Sequence, residues 1–501
     1  MRITIWQDVR RLWPGLLGLV VFAIALWAQT DALAGVFYDD GIYLSLARSL
    51  AEGEGFRYGH LPGDPAGVRY PFLYPYVLSF LWRVWPSFPA NLALFSLFDS
   101  AVYGLSAFVI ARSVARLSLP GLSVGLVLVA AFAAFPLLAI VGVRFSEPLF
   151  LILFSGSLLI ADGGEATTKR AVAAGLLAGL ATLTRSLGLA GLLGIAISLW
   201  YRGARRSSLV SVAAGTVVIL PWIIWLLVHS GELDPRLTSV YGTYSEGSGG
   251  MGLIQFIGGA SLQVFSPIAR LLLPALPTPL WALAAVCVSL LIVWGAARTF
   301  RVLPALIVTL GLYASVVTVW PYTPDRFVWV VLPWIFLLMA VALHDLWTRN
   351  RYWKLVVGAA ALVIGIGFLP REISSLRNRA FASTAEGISQ PLRLLISSIV
   401  QELPSDAVIA GGDEALLSLY TGRSSVPSYL SRLNGRDEIP LTPAESVHFY
   451  CATGVTHIAL SGPGAPAARL LQTLRTAEVS PLEQLFSVRE GPKLYRFTCP
   501  D

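Results

Sequence analysis

Charged residues are scarce in this 501-residue chain: they make up 13% of it, against 55% hydrophobic residues and a mean hydropathy of +0.70. That scarcity excludes a soluble globular protein of this length and leaves lipid as the main solvent. Histidine and cysteine are few as well, five and three, and nowhere do they stand at metal-ligand spacing. No Gly-rich loop of the P-loop or Rossmann kind is present, so a soluble nucleotide-sugar pocket has no foundation. No clear internal repeat is found, which counts against the duplicated halves common in transporters. The net charge of +7 calls for no nucleic acid, because basic turns at an inner membrane leaflet account for it.

What the chain does have is apolar length. With roughly 20 apolar residues per crossing, about eleven spanning segments are expected, near 14–30, 91–111, 120–140, 148–161, 171–184, 187–201, 208–229, 280–297, 302–320, 327–346 and 355–370. Arg2, Arg10 and Arg11 before the first segment place the N-terminus inside the cell. Alternation then puts Arg112 and Arg116, Lys169 and Arg170, Arg202 to Arg206, Arg298 and Arg301, and Arg349 to Lys354 in the inner turns. Every expected inner turn is therefore basic, and one topology explains them all. Basic residues, an apolar run and Ala32-Leu33-Ala34 also fit a cleaved signal peptide. Cleavage there would leave Asp39 and Asp40 a few residues from a free end, so an uncleaved helix is the better reading.

Three longer segments then lie outside: 31–90, 230–279 and 371–501. In the first, Pro71–Pro86 is apolar but short, carries Arg83 and is rich in Trp and Tyr. Such a stretch fits a helix lying along the outer leaflet; as a crossing it would reverse every later orientation. Gly53, Gly55, Gly59, Gly63 and Gly67 punctuate the chain before it, giving a folded-back loop able to bring Asp39 and Arg69 together. The adjacent acids Asp39 and Asp40 stand at the start of this outer segment, followed by Tyr43. Arg144 and Glu147 fall in a short outer turn, Arg185 lies between two half-length apolar runs, and Arg326 precedes the tenth segment. Singly, these are a solvated turn or helix start for the acids and snorkelling or loop-paired arginines. Converging at one face of an apolar protein, they make a polar pocket. Arginines grip phosphate, and a carboxylate accepts a proton from an attacking hydroxyl or amine, a combination suited to transfer from a lipid-linked phosphosugar.

The stretches Tyr38-Asp-Asp-Gly-Ile-Tyr43 and Ala47–Phe56 resemble the first outer loop of bacterial glycosyltransferases of the C superfamily (the GT-C fold), relatives of the protein O-mannosyltransferases and the lipid A aminoarabinose transferases. Val68-Arg-Tyr-Pro-Phe-Leu-Tyr-Pro75, which contains Tyr74, looks like that family's Pro-rich stretch. Phe145-Ser-Glu-Pro-Leu-Phe150 and Arg326-Phe327 resemble two further motifs. The resemblance covers residues 1–370. It implies a polytopic α-helical membrane protein with its N-terminus in and C-terminus out. The implied activity is inverting transfer from a polyprenyl- or dolichyl-phosphate sugar to a glycan, lipid or protein acceptor at the outer face of the plasma membrane. It implies a base at Asp39, although the family usually reads Asp-Glu where this chain has Asp39-Asp40, so the two acids stay alternatives. Arg69 and Arg326 are implied contacts of the lipid phosphate, and Glu147 a residue that positions acceptor or loop. Some members of the superfamily use a divalent cation and others do not. The competing reading is a transporter or flippase of an anionic or lipid-linked saccharide.

After Pro370 the sequence turns polar and its apolar runs shorten to strand length at 407–411, 456–460, 484–488 and 493–498. With helices at Asp413–Tyr420 and Ala467–Ala477 and a hairpin around Glu490-Gly-Pro492, a small extracytoplasmic α/β domain over 371–501 is expected. Asp413-Glu414 reads as a capping arrangement at a helix start. Cys451 and Cys499 both abut strands in that domain, and an oxidising compartment would allow them to pair.

Overall fold

A computed structural model of the chain describes residues 2–117, 119–243, 264–319, 325–434, 437–461, 474, 482–488 and 491–500. Every one of the eleven expected apolar segments falls on helix. In chain order the helices begin with α1 (Arg2–Ala28), α2 (Asp39–Glu52), α3 (Leu73–Val84), α4 (Leu92–Val114), α5 (Gly121–Phe132), α6 (Phe135–Val141), α7 (Glu147–Ala161), α8 (Thr168–Thr184), α9 (Gly188–Tyr201) and α10 (Arg205–His229). Thr278–Thr299, Pro304–Val319, Asp325–Val330, Leu332–Trp347, Arg351–Arg377 and Ala380–Glu402 follow. Among the described residues four helices are by themselves long and apolar enough to cross a membrane: α4, α10, Leu280–Thr299 and Arg351–Arg377. The pair α5 and α6, bent by 59°, makes a fifth, and several shorter apolar helices pack among them. Of the second expected outer loop, 244–263 lie outside the described residues.

The bundle closes through small residues, as expected where lipid removes the hydrophobic drive between helices. On α8, a Cβ added to Gly175 would lie 2.1 Å from the Ser211 carbonyl oxygen of α10. On α4, one added to Gly104 would meet the Gly18 carbonyl oxygen of α1 at 2.7 Å. Aliphatic side chains such as Val217, Leu227, Leu290 and Ile366 stay exposed on the outer flanks of the bundle, where only an apolar solvent suits them.

Helix Arg351–Arg377 runs through Pro370, past the expected boundary, and Ala380–Glu402 is a further helix, buried through Phe381, Ala385, Leu392, Leu395 and Ile399. Beyond it stands a five-stranded sheet in the order β2-β1-β5-β7-β6, with β1 (Ile409–Gly411), β2 (Ser425–Pro427), β5 (His457–Leu460), β6 (Glu483–Ser487) and β7 (Lys493–Arg496). The β1 strand runs parallel to β2 and β5, and β7 antiparallel to β5 and β6. Strands β3 (Ser431–Asn434) and β4 (Asp437–Pro440) form a separate hairpin. The expected strands coincide with β1, β5, β6 and β7. At the turn expected around Glu490-Gly-Pro492, the Val488 N–H donates to the Pro492 carbonyl at 3.0 Å; Arg489 and Glu490 lie outside the described residues, as does nearly all of the helix expected at Ala467–Ala477. Cys451 and Cys499 are disulfide-bonded, with Cα atoms 5.6 Å apart.

This sheet layer does not hang free. Its Ile409, Leu416, Phe449 and Tyr495 share one apolar core with Ile42, Tyr58, Tyr74 and Trp82 of the first loop and with Leu233 and Tyr241 of the second.

Candidate active site

Helix α2 begins at Asp39, so that Asp39 and Asp40 occupy its first turn, where the helix dipole favours negative charge. Successive helical residues point about 100° apart, and the two acids part company. Asp40 turns inward: its Oδ2 accepts from the Gly35 N–H at 2.6 Å and its Oδ1 from the Phe37 N–H at 3.1 Å, which folds the loop before the helix. It is fully buried, and burial pushes its pKa up to about 6 against the pull of those two N–H groups. Asp39 faces a cavity of about 430 Å³ lined also by Tyr38, Tyr43, Arg69, Tyr70, Arg185, Arg326 and Phe327.

Asp39 is held from two sides. Tyr70 donates to its Oδ1 at 2.6 Å, and Arg326 Nη1 to its Oδ2 at 2.5 Å. Burial raises its pKa, but the Arg326 charge and then the Tyr70 hydroxyl outweigh burial and hold it below the usual carboxylate range. Arg326 lies over the Phe145 ring and reaches the buried Glu147 with both Nε and Nη2. Glu147, whose side chain is 2% exposed, also takes Arg185 Nη1 at 2.7 Å. One buried carboxylate thus serves two guanidiniums, the arrangement that makes such burial tolerable. Arg185 stands at the break between α8 and α9 and over the Phe327 ring. Arg69 Nη1 donates to the carbonyls of Ser239 and Gly242. Three guanidiniums therefore surround two carboxylates, and the site carries excess positive charge.

Most residues singled out from the sequence meet here: Asp39, Tyr43, Arg69, Arg185 and Arg326 on the cavity, with Glu147 behind. Tyr74 packs edge-on against Tyr43 at 5.1 Å and donates to Asp99 at 3.0 Å, away from the cavity. Arg144 is buried beside a different cavity of about 630 Å³, where its Nη2 donates to Ser96 Oγ at 3.0 Å. Sequence reasoning missed Tyr70 and Phe145 as partners of the charged residues, although both lie within the motif stretches. It also misread Glu414. Asp413 stands at the N-cap without a capping hydrogen bond, and the buried Glu414 beside it accepts from Tyr38 and Tyr241.

Among the described residues no group of three or more His, Cys, Asp or Glu is placed to hold a metal ion. Among the described residues, the two carboxylates at the site are both paired with arginines.

At the level of sequence, no protein-family profile and no curated protein matches the chain. Solved structures do. ArnT of Cupriavidus metallidurans in the apo state is similar with a TM-score of 0.56 and 15% identity, over 99% of this chain and 98% of that one. The oligosaccharyltransferase AglB of Archaeoglobus fulgidus, solved in complex with an inhibitory peptide and a dolichol-phosphate, gives 0.53 and 10% over 90% of this chain and 70% of that one. An Archaeoglobus fulgidus oligosaccharyltransferase tethered to an acceptor peptide gives 0.57 and 12% over 98% and 74%. Over nearly its whole length, the chain shares the fold of ArnT and of the Archaeoglobus fulgidus oligosaccharyltransferase.

Proposed function

We propose that the protein is an inverting glycosyltransferase that moves a sugar from a polyprenyl-phosphate donor to a glycan, lipid or protein acceptor. The observation that carries this is Asp39, ion-paired to Arg326 on a cavity with Arg69 and Arg185. In the proposed step an acceptor hydroxyl or amine attacks the anomeric carbon opposite the phosphate. The new bond forms as the bond from that carbon to the phosphate oxygen breaks, and the polyprenyl phosphate leaves with the electron pair. The acceptor's proton passes to Asp39. That transfer also removes one of the two anionic partners of Arg326 as the leaving phosphate gains charge, so the freed guanidinium turns to it together with Arg69 and Arg185. Asp40, tied to two backbone N–H groups, shapes the loop and is not the base.

The same reading carries the topology. Eleven crossings with basic inner turns put this site and the C-terminal α/β layer on the outer side of the plasma membrane, with residues 1–370 as the transferase part and 371–501 as the appended domain. Shared fold with ArnT and AglB supports the class of reaction.

The test uses purified full chain and undecaprenyl phosphate carrying radiolabelled mannose, glucose or arabinose, with cell-envelope membranes as acceptor. Label should move to acceptor with wild-type protein and not with Asp39→Asn. Undiminished transfer in Asp39→Asn sinks the base assignment. Donor crossing the bilayer without sugar transfer means a flippase instead.

A further inference from the structure

The residue before Asp39 has an unusual backbone. Tyr38 sits at φ 68°, ψ −66°, and the Asp39 N–H donates back to the Phe37 carbonyl at 2.8 Å. This is a three-residue γ-turn of the rare, strained hand. A side chain other than glycine adopts it only where the surroundings over-determine it.

Two sets of contacts do so. The first is local: the Asp40 carboxylate gathers the Gly35 and Phe37 N–H groups. The second comes from the far end of the chain. The Tyr38 hydroxyl donates to Glu414 Oε1 at 2.5 Å, and the Tyr241 hydroxyl donates to the same oxygen at 2.5 Å. Tyr241 in turn meets His60 Nε2 at 2.8 Å, and His60 Nδ1 meets Ser45 Oγ of α2 at 2.9 Å. Glu414 is 1% exposed. Its helix (Glu414–Thr421) presses on the same loop, since a Cβ added to Gly35 would lie 2.6 Å from Leu416 Cβ. One oxygen from the C-terminal layer therefore ties together the turn before Asp39, the second outer loop and, through His60, the body of α2.

We propose that Glu414 is a positioning residue for glycosyl transfer: by accepting from Tyr38 and Tyr241 at once, it holds the γ-turn that aims Asp39 at the cavity. The C-terminal layer is then part of the transfer machinery, although it contributes no atom that touches substrate. This rests on Asp39 being the base. A carboxylate that only held the layer in place would affect folding and leave chemistry and donor affinity together.

The experiment compares full-chain Glu414→Ala, Glu414→Gln, Tyr241→Phe and Asp39→Asn, using the sugar donor that turns over and undecaprenyl phosphate as the binding probe. A glutamine oxygen still accepts both hydroxyls. Loss of a charge-assisted hydrogen bond at this place lowers kcat by about 10- to 100-fold in Glu414→Ala and about 10-fold in Tyr241→Phe. Binding of undecaprenyl phosphate stays at the parental level in both, and Glu414→Gln keeps most of the parental kcat. A structure of Glu414→Ala should show Tyr38 relaxed to negative φ. Parental kcat in Glu414→Ala overturns the inference, as does a loss in Glu414→Gln equal to that in Glu414→Ala. Should Glu414→Ala not fold, Tyr241→Phe decides alone, since it removes one hydroxyl from outside the cavity. Full turnover by Asp39→Asn would reject the base reading, while the structure of Glu414→Ala still judges the γ-turn.

Discussion

Asp39 and Asp40 are chemically alike and adjacent, yet the fold gives them different partners. Two acids after an apolar helix stand out in the sequence, but the sequence could not choose between them. The choice depends on helix phase and on the Gly35 and Phe37 N–H groups that capture Asp40. Two predictions separate the acids. Asp39→Asn should lower transfer by about 100- to 10,000-fold, the usual contribution of a general base, while undecaprenyl phosphate still binds in a direct titration. Asp40→Asn should act on folding: an amide can accept only at one of its two ends, so one N–H is left without its partner. A loss of about 1–3 kcal/mol should appear as a lower thermal midpoint, with transfer per folded molecule falling far less than in Asp39→Asn. Glu414 and Tyr70 were illegible for a related reason, since their partners are remote in sequence.

At the level of elements, the helices were the most legible part, because a crossing needs length and apolarity that few other structures show. The pattern also announced β1, β5, β6 and β7 as short apolar runs. Two of the helices that went unread carried clear signals. Ala380–Glu402 repeats apolar residues at Phe381, Ala385, Leu392, Leu395 and Ile399, an amphipathic spacing. Pro443–Ala452 opens on Thr442-Pro-Ala-Glu445, whose Thr and Glu form a capping box. What no pattern reveals is how closely helices approach. The α8–α10 contact admits no side chain at Gly175, and α8 ends at Thr184, directly before Arg185. Gly175→Leu should therefore cost about 1–3 kcal/mol by overpacking, lowering the thermal midpoint and weakening undecaprenyl phosphate binding as Arg185 shifts. Gly311, inside Pro304–Val319, has nothing within 4 Å of an added Cβ. Gly311→Ala should leave binding unchanged and raise stability by up to about 1 kcal/mol through helix propensity.

For the whole molecule, the apolar-to-polar change after Pro370 marked a second layer, but not that this layer shares a core with the first outer loop. Folding shifts several titratable groups at that union, Glu414, Asp40 and His60 among them, and the shifts set how stability depends on pH. Burial pushes Glu414 up to about 7, against the hydrogen bonds from Tyr241 and Tyr38 and with the help of neighbouring Asp413. Burial pushes Asp40 up to about 6 and His60 down to about 3. A carboxyl raised on folding binds more protons folded than unfolded, so its contribution is complete below the unfolded pKa and lost as pH rises through the folded one. A histidine depressed on folding works the other way, gaining stability as pH rises toward its unfolded value of about 6.5. Between roughly pH 4.5 and 6 the gain from His60 and the loss from Asp40 offset each other, and Glu414 remains. The outer layer should therefore lose stability from about pH 4.5 to 7, by on the order of 3 kcal/mol, and change little above. Thermal unfolding across pH 4.5–8, read by fluorescence of the full chain in detergent, should show the midpoint fall over that window. Glu414→Gln, which cannot titrate, should flatten it; an undiminished slope in that variant would mean that another group carries the proton.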